Sequence, residues 1–467
     1  MPTRDTPHDE NIGEALTYDL AYDIVPHDAR RGALSMGLLW LATQTTFSGM
    51  FIGFSAQQSG QSLRDLLIGC GLGTASVCLY GLLAGYLGAV TGQMQPFLAR
   101  AVFGKFGSVL VSIFLIVMGS GWYSFQAVYT GQLFQGLFSW TGSVISLAII
   151  FTVLMATNNV IGFKGIGMFG RFVAPFVFFI AIYSLYEAFA LTPAATLWAT
   201  PHVADTTSII ATATLIIGVG VFGNEPDVWR FSKTRIRSVG IPMFLANTLG
   251  LLLFPVAGWA MALSSTGATP AQQAQVIVHY LFGSVPFAAL IIFFSQIALN
   301  DMNFYESINA MTNLFPIKRY YSILILLVIG SLISAWMATA SSQTVFFIVA
   351  GVGASTVPTA TTIMAIDVLL VPKMFGVARN LSRVPNWRDL DSTNWLGISA
   401  LVFGVIVSLL LSIPGNVIPH FGLSIGLAPF EGWAAAVILY LGLIAAVRNR
   451  ASFQWVLGLR PFRDLSL

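Results

Sequence analysis

The segment "TLIIGVGVFGNEPD", residues 214–227, interrupts a hydrophobic run with small and polar residues. It contains three glycines and Pro226, and two carboxylates, Glu225 and Asp227, stand at its end in a chain of which only 9% is charged. Glycine and proline weaken a helix, and lipid cannot satisfy the backbone groups that a break sets free. The pattern therefore predicts a broken membrane helix whose break faces protein or a watery cavity.

The composition of the whole chain supports a membrane location. Of its 467 residues, 56% are hydrophobic, and the mean hydropathy is +0.79. A soluble protein has roughly 45–50% apolar and about 25% charged residues, so this composition excludes one. Residues 1–32 are acidic and polar and lack the basic start and apolar core of a signal peptide. We expect a cytoplasmic N-terminal tail there.

Hydrophobic segments of about 20 residues, the length that crosses a bilayer as a helix, recur along the chain. We predict an all-α integral membrane protein with twelve spans, the quoted segment belonging to the sixth. Their predicted limits are 33–57, 66–92, 107–137, 142–161, 166–191, 207–231, 239–264, 277–310, 320–339, 342–372, 394–414 and 430–448. Residues 449–467 are predicted to form a cytoplasmic C-terminal tail.

Lysine and arginine lie on one side of these spans, with Arg64 as the exception. The positive-inside rule makes the basic side cytoplasmic. We therefore expect a multi-pass protein of the cytoplasmic (inner) membrane, surrounded by lipid, with both termini in the cytoplasm. The net charge of +3 and the pI near 8.8 reflect this topology, and we expect no nucleic-acid partner.

A second interruption indicates an internal repeat. The polar, glycine-containing stretch "TQTTFSGMFIGFSAQQSG", residues 43–60, breaks the first span much as residues 214–227 break the sixth. Repeats over 33–191 and 207–372, followed by two further spans over 394–448, place the two breaks at corresponding positions. Paired breaks of this kind are typical of inverted-repeat transporters that bind substrate near the bilayer midplane. The alternative is that the glycines only let helices pack closely.

Span 3 contains a candidate platform for a flat ligand. Trp122 and Gln126 are four residues apart and lie on one face of a helix. An indole plane beside an amide suits a planar ring with hydrogen-bonding edges. The alternative for Trp122 is a packing or interfacial role.

Span 8 and the end of span 6 carry ionisable residues at membrane depth, which mark either a functional site or a structural network between helices. Within two turns, span 8 holds Asn300, Asp301, Asn303 and Glu306. Glu225 is a candidate for proton coupling. Asp227 and Arg230, three residues apart, predict a structural or gating clamp, and we expect a structural role for Asp367.

The sequence predicts no metal site, cofactor or catalytic centre. Cys70 and Cys78 lie about 12 Å apart if their segment is helical, beyond the reach of a disulfide. The five histidines lie in the N-terminal tail or near extracellular ends of spans.

Five stretches together resemble the nucleobase:cation symporter family, which includes cytosine, purine, allantoin, uracil and hydantoin permeases. They are "VPHDARRGALSMGLLWLATQTTFSGMF" at 25–51, the Trp122 and Gln126 pair, "GNEPDVWRF" at 223–231, "LNDMNFY" at 299–305 and "TNW" at 393–395. The resemblance covers about residues 24–448. It implies a LeuT-type fold of two inverted five-helix repeats with two extra C-terminal helices.

The resemblance also implies a substrate site. It places a planar heterocycle against Trp122, with Gln126 and Asn300 bonding its edges and the unwound part of span 6 gripping the ring. The predicted substrate-binding set is Trp122, Gln126, Gly218, Gly220, Phe222, Asn300 and Asn303. Members with a second stacking aromatic carry it where this chain has Gly218, so the resemblance implies a wider or differently stacked site here.

If the chain resembles this family, two positions on span 8 indicate which cation is coupled to transport. Sodium-dependent members use span 1 carbonyls and consecutive hydroxyl side chains on span 8, where this chain has Ala298 and Leu299. Because hard cations need several oxygen ligands, we favour proton over sodium coupling, with uncoupled uptake as a further alternative. The predicted cation or proton set is Asp301, Glu225, Thr43, Phe47 and Ser295.

These observations predict a secondary active importer of a nucleobase or related planar nitrogen heterocycle that works by alternating access. A heterocyclic vitamin such as pyridoxine or thiamine is an alternative substrate. From other classes, a membrane-embedded enzyme is disfavoured because no buried histidine, cysteine or metal-ligand cluster stands beside the carboxylates. A channel is disfavoured because no repeated rings of charge are evident.

Overall fold

The computed structural model describes residues 23–459 except 46, 199–205, 264–268, 282, 316, 388–389, 391, 413–423 and 451. Most of the predicted tail over 1–32 and the end of the tail predicted over 449–467 lie outside these ranges. So do some basic residues of the topology prediction, among them Arg388.

The regular elements of the described ranges are helices. In chain order they are α1 Ala33–Gln44, α2 Phe47–Gln58, α3 Leu63–Thr91, α4 Gln95–Leu137, α5 Val144–Met155, α6 Thr157–Ile161, α7 Phe163–Leu191, α8 Ala194–Trp198, α9 Thr206–Gly220, α10 Glu225–Trp229, α11 Ile236–Ala262, α12 Pro270–Tyr280, α13 Val285–Leu314, α14 Arg319–Met337, α15 Ser342–Leu369, α16 Val371–Phe375, α17 Trp395–Leu411, α18 Ala428–Val447 and α19 Phe453–Val456.

Nine segments of the described chain are helical, long and apolar enough to cross a membrane. They fall on predicted spans 2 to 5, 7 to 10 and 12, which confirms the all-α membrane class. Three shorter apolar helices, α1, α9 and α17, fall on predicted spans 1, 6 and 11. The total of twelve spans stays a prediction.

The structure confirms both predicted helix breaks. Span 1 divides into α1 and α2 after Gln44, and span 6 divides into α9 and α10 between Gly220 and Glu225. Gly223 in the second break has φ +82, a left-handed conformation that glycine adopts without a Cβ clash. Each break therefore exposes backbone groups that the surrounding helices have to satisfy.

Two predicted span limits differ from the helices. Residues 277–310 were expected as one span, but α12 ends at Tyr280 and α13 starts at Val285. Both starts are capped, α12 by a capping box from Thr269 and α13 by the Ser284 hydroxyl. Apolar residues continue across the gap, so hydropathy does not reveal it. The third span begins earlier than predicted, because α4 continues back to Gln95 through a kink at Gly104.

Helix packing places both breaks in the interior. The longest helices, α4 and α13, pack against each other, and α11 packs along both halves of span 1. In the same way α3 packs against both halves of span 6. The two C-terminal helices α17 and α18 pack against each other and against α15.

Candidate functional site

A small enclosed cavity lies where the two breaks meet α4 and α13. Its lining residues are Thr43, Gln44, Trp122, Gln126, Val219, Phe222, Leu299 and Asn303. The free space is about 10 Å³, close to what one water molecule needs. A heterocyclic ring therefore fits only after the surrounding helices move apart.

Trp122 and Gln126 of α4 both reach this cavity, as their spacing predicted. Trp122 is 5% exposed, and Phe125 and Phe346 contact its indole edge-on at centroid distances of 5.8 and 6.0 Å. These edge contacts restrain the plane of the indole. An aromatic plane held in this way is suited to stack on a flat ring.

Hydrogen bonds from two other helices hold the Gln126 amide in place. Its Oε1 accepts from Gln296 Nε2 at 2.8 Å, and its Nε2 donates to Ser48 Oγ at 3.2 Å. An amide has a second lone pair and a second N–H, so one acceptor and one donor function remain for a ligand. The side chain is thus oriented before any ligand binds.

The break in span 6 meets span 1 through Gln44, a residue that sequence reasoning did not select. Gln44 Nε2 donates to the Gly220 carbonyl and to Asn247 Oδ1, each at 3.0 Å. Gly220 ends α9, so this bond satisfies a carbonyl at the break. Phe222 within the break packs edge-on against Trp40 at 5.5 Å. One amide therefore ties the two broken helices together.

The two predicted glycines of span 6 do not line the cavity. A Cβ on Gly218 would lie 2.8 Å from Ala350 Cβ, and one on Gly220 would lie 2.6 Å from Leu251 Cδ1. At these two positions glycine permits close helix packing, the alternative considered from the sequence. Their neighbour Val219 does line the cavity, although an isolated valine gives no chemical signal of a binding role.

The asparagines of α13 act as a pair. Asn303 lines the cavity, and its Nδ2 donates to Asn300 Oδ1 at 3.1 Å. Asn300 lies behind it and donates to the Tyr123 carbonyl of α4 at 3.0 Å. Asn300 therefore orients Asn303. The neighbouring cavity residue Leu299 entered the sequence analysis only as a lost cation ligand.

Asp301 and Glu225 lie outside the lining, each with a donor on both carboxylate oxygens. Asn158 and Asn159 donate to Asp301 at 2.9 and 3.4 Å, which joins α13 to α6. Glu225 accepts from the Phe222 N–H at 3.1 Å and from the Tyr80 hydroxyl at 3.0 Å. Glu225 therefore braces the span 6 break against α3.

The other residues predicted for a cation site form hydrogen bonds within the protein. Thr43 lines the cavity, and its hydroxyl donates to the Trp40 carbonyl at 2.7 Å. The Phe47 carbonyl accepts from Tyr129 Oη at 3.2 Å, and Ser295 Oγ donates to the Thr45 carbonyl at 3.1 Å. Two carbonyls at the break in span 1, those of Thr45 and Phe47, thus accept hydrogen bonds from hydroxyl groups.

Asp227 connects the end of span 6 to two other helices. Its carboxylate accepts from the Gln95 backbone N–H and from Asn309 Nδ2, which lies at 3.2 Å. Arg230 donates to the Tyr305 hydroxyl at 3.3 Å, and its charge acts on Asp227. This arrangement supports the predicted clamp.

The structural role expected of Asp367 is also supported. Its carboxylate forms an ion pair with Arg379 at 2.8 Å. This pair joins α15 to the segment that follows α16 and lies apart from the cavity.

Sequence comparison identifies a family profile over most of the chain and individual relatives over half of it. A sequence profile described as a permease for cytosine/purines, uracil, thiamine and allantoin matches residues 25–430. The cytosine permeases of Escherichia coli K12 and O157:H7 are each 27% identical over 248 residues, which is 50% of this chain and 57% of theirs. The matched region thus spans little more than half the length of these relatives.

Two solved structures with a similar fold are those of transporters. Mhp1, a nucleobase-cation-symport-1 family transporter, in a closed conformation with bromovinylhydantoin bound, has a TM-score of 0.71 and 16% identity over 94% of this chain and 96% of its own. A Na⁺-coupled sialic acid symporter has a TM-score of 0.61 and 12% identity over 92% of each chain. These likenesses confirm the predicted LeuT-type fold.

The matching profile describes permeases, and the two structures of similar fold are those of transporters. Because the profile covers most of the chain and both predicted helix breaks, the chain belongs to the family of permeases for cytosine/purines, uracil, thiamine and allantoin.

Proposed function

We propose that this permease is a proton-coupled importer of a nucleobase or a closely related planar nitrogen heterocycle. The observation that carries the proposal is the meeting of Trp122, Gln126, Phe222 and Asn303 around one enclosed cavity between two broken helices. An aromatic plane supplies stacking, and the two amides supply donors and acceptors for ring nitrogens and carbonyls.

Transport by alternating access follows from the arrangement of the breaks. The cavity is enclosed between the two repeats, and Gln44 joins their broken helices. In transporters of this class one bundle rocks against the other around a fixed site. Substrate enters when the helices part toward the outside, Trp122 and Phe222 then close on the ring, and parting toward the cytoplasm releases it.

Two features support a proton rather than sodium as the coupled cation. Ala298 and Leu299 provide no side-chain oxygen. The Thr45 and Phe47 carbonyls accept hydrogen bonds from Ser295 and Tyr129. A sodium ion needs several oxygen ligands, and each of these carbonyls already has one of its two lone pairs engaged. Asp301 and Glu225 stay predicted proton carriers.

Thermal-shift measurements on the purified protein test substrate and cation together. The panel contains cytosine, adenine, uracil, allantoin, a hydantoin, pyridoxine and thiamine, each at two pH values with sodium or choline chloride. We expect a nucleobase or related ring to stabilise the protein more at the lower pH, with no effect of sodium. If only a vitamin stabilised the protein, the substrate would be a heterocyclic vitamin and not a nucleobase. A requirement for sodium would contradict proton coupling.

A further inference from the structure

Among the described residues, no donor lies within hydrogen-bonding distance of Glu306, a buried carboxylate of α13. It lies three residues beyond the cavity residue Asn303, about one helical turn closer to the predicted cytoplasmic side. Its side chain is 0% exposed, and among the described residues neither Oε1 nor Oε2 has a donor within hydrogen-bonding distance. Buried polar atoms are nearly always paired, so such a group requires an explanation.

The other carboxylates near it are satisfied. Glu225 and Asp227 of α10 both act on Glu306 electrostatically, and each of them accepts hydrogen bonds from protein donors. Glu306 thus differs from Glu225 and Asp301, the two carriers predicted from the sequence, because both of those have donors on each oxygen.

Among the described residues, the positive charge near Glu306 does not balance three ionised carboxylates, those of Glu306, Glu225 and Asp227. Glu225, Asp227 and the Tyr80 hydroxyl of α3 face it. The cation beside this group is Arg230, which acts on Asp227. A buried ion without a partner is unfavourable, whereas a protonated carboxyl is neutral and is itself a donor.

Two further cations lie near α13 but are engaged elsewhere. Arg100 of α4 donates to Asn313, two turns beyond Glu306, and Arg319 of α14 donates to the Asn159 carbonyl at 2.6 Å.

The structure also provides an acceptor for a proton on Glu306. The Asn224 amide in the span 6 break faces Glu306 and is able to donate to the ionised form of Glu306, while the buried Asn224 Oδ1 has no donor among the described residues. Asn224 Nδ2 donates to the Met302 carbonyl at 3.2 Å, which keeps the amide against α13. A carboxylic acid at Glu306 would supply the donor that Asn224 Oδ1 lacks.

We propose that Glu306 is the proton-binding residue that couples transport to the proton gradient, and this inference rests on the proposed function. The proton adds to the Glu306 carboxylate and leaves as the same proton to cytoplasmic water, with no other bond changed. Asn224 lies two residues from Phe222, and Asn303 lies one turn from Glu306. Closure of the cavity around a ring therefore moves the surroundings of Glu306 directly.

The first test detects the proton without any substrate. Infrared difference spectra of the purified full-length protein between high and low pH record the carbonyl band of a protonated carboxylic acid in a buried site. We expect this band in the wild type and its loss in Glu306→Gln. The band should remain in Glu225→Gln and in Asp301→Asn. It should also remain in the control Glu431→Gln, since the Glu431 carboxylate accepts backbone hydrogen bonds at the start of α18.

Persistence of the band in Glu306→Gln, or its loss in Glu225→Gln or Asp301→Asn instead, would overturn the proposal. A second variant, Glu306→Asp, guards against misfolding, since it keeps a carboxyl group and should shift the band rather than remove it. Sodium is tested at constant pH by thermal shift against choline. Stabilisation by sodium that Glu306→Gln abolishes would assign the site to a metal cation and contradict the proton assignment.

The coupling test uses proteoliposomes with radiolabelled cytosine, adenine and allantoin in parallel. In Glu306→Gln, accumulation driven by a pH gradient should be lost while exchange of internal for external substrate persists. Retained accumulation in this variant would contradict the coupling role. If the wild type transports none of these three compounds, the proposed function is contradicted for them. The infrared spectra still decide whether Glu306 binds the proton.

Discussion

At the scale of single residues, the cavity depends on side chains that other side chains hold in position. Phe125 and Phe346 restrain Trp122, Gln296 orients Gln126, and Asn300 orients Asn303. Such support reduces the ordering that a ligand has to impose when it binds. Affinity should therefore respond both to the cavity residues and to the residues behind them.

Trp122→Ala should weaken binding of the best heterocycle from the panel roughly tenfold or more, since stacking of a base on an aromatic side chain contributes about 1–3 kcal/mol. Isothermal titration of purified protein measures the change. The matched control is Trp336→Ala, which removes a tryptophan that is 63% exposed on α14. Equal affinity in Trp122→Ala and the wild type would exclude the stacking role.

Asn300→Ala should also weaken binding, although Asn300 does not line the cavity, because Asn303 loses the acceptor that orients its Nδ2. A hydrogen bond of this kind contributes about 0.5–1.5 kcal/mol, so the expected loss is severalfold. The same titration gives the value, and Asn380→Ala, in an exposed turn, is the control. A larger loss than for Asn303→Ala would show instead that Asn300 contacts the ligand itself.

At the scale of elements, the two interrupted helices are stable because other helices satisfy their open backbone groups. Gln44 bonds the carbonyl that ends α9, and Glu225 bonds the N–H of Phe222 in the same break. The break itself depends on the left-handed conformation of Gly223. These contacts hold the geometry of the site more than the helices' own propensities do.

Gly223→Ala should lower the thermal stability of the purified protein. Its φ of +82 is unfavourable for a residue with a Cβ, which would also lie 2.5 Å from Val357 Cγ1. The left-handed conformation alone costs about 1–2 kcal/mol. Gly351→Ala in α15 is the control, since its Cβ would meet nothing within 4 Å. Equal melting temperatures for the two variants would argue against a strained break.

At the scale of the whole molecule, two interrupted helices meet two long helices around one small cavity. Helices from both repeats enclose the cavity, while the two C-terminal helices pack at the outside of α15. The orientation of this bundle in the membrane is predicted by the basic residues, of which only Arg64 falls on the outer side.

Cysteine labelling tests that orientation. In a background with Cys70→Ala and Cys78→Ala, a membrane-impermeant maleimide applied to intact cells should label Ser59→Cys, an exposed position between α2 and α3. It should not label Ser382→Cys, an exposed position between α16 and α17, until the cells are opened. The reverse pattern would invert the predicted topology.

The sequence by itself determined the membrane class, the position of most spans and the two helix breaks, because hydropathy and the placement of glycine act locally along the chain. It also identified Trp122 and Gln126, whose spacing places them on one face of any helix. Tertiary structure alone decided which face of each helix meets the cavity, since helix rotation is set by packing against neighbours. That packing brought Gln44 to the site and buried Glu306 where the described residues place no donor within hydrogen-bonding distance.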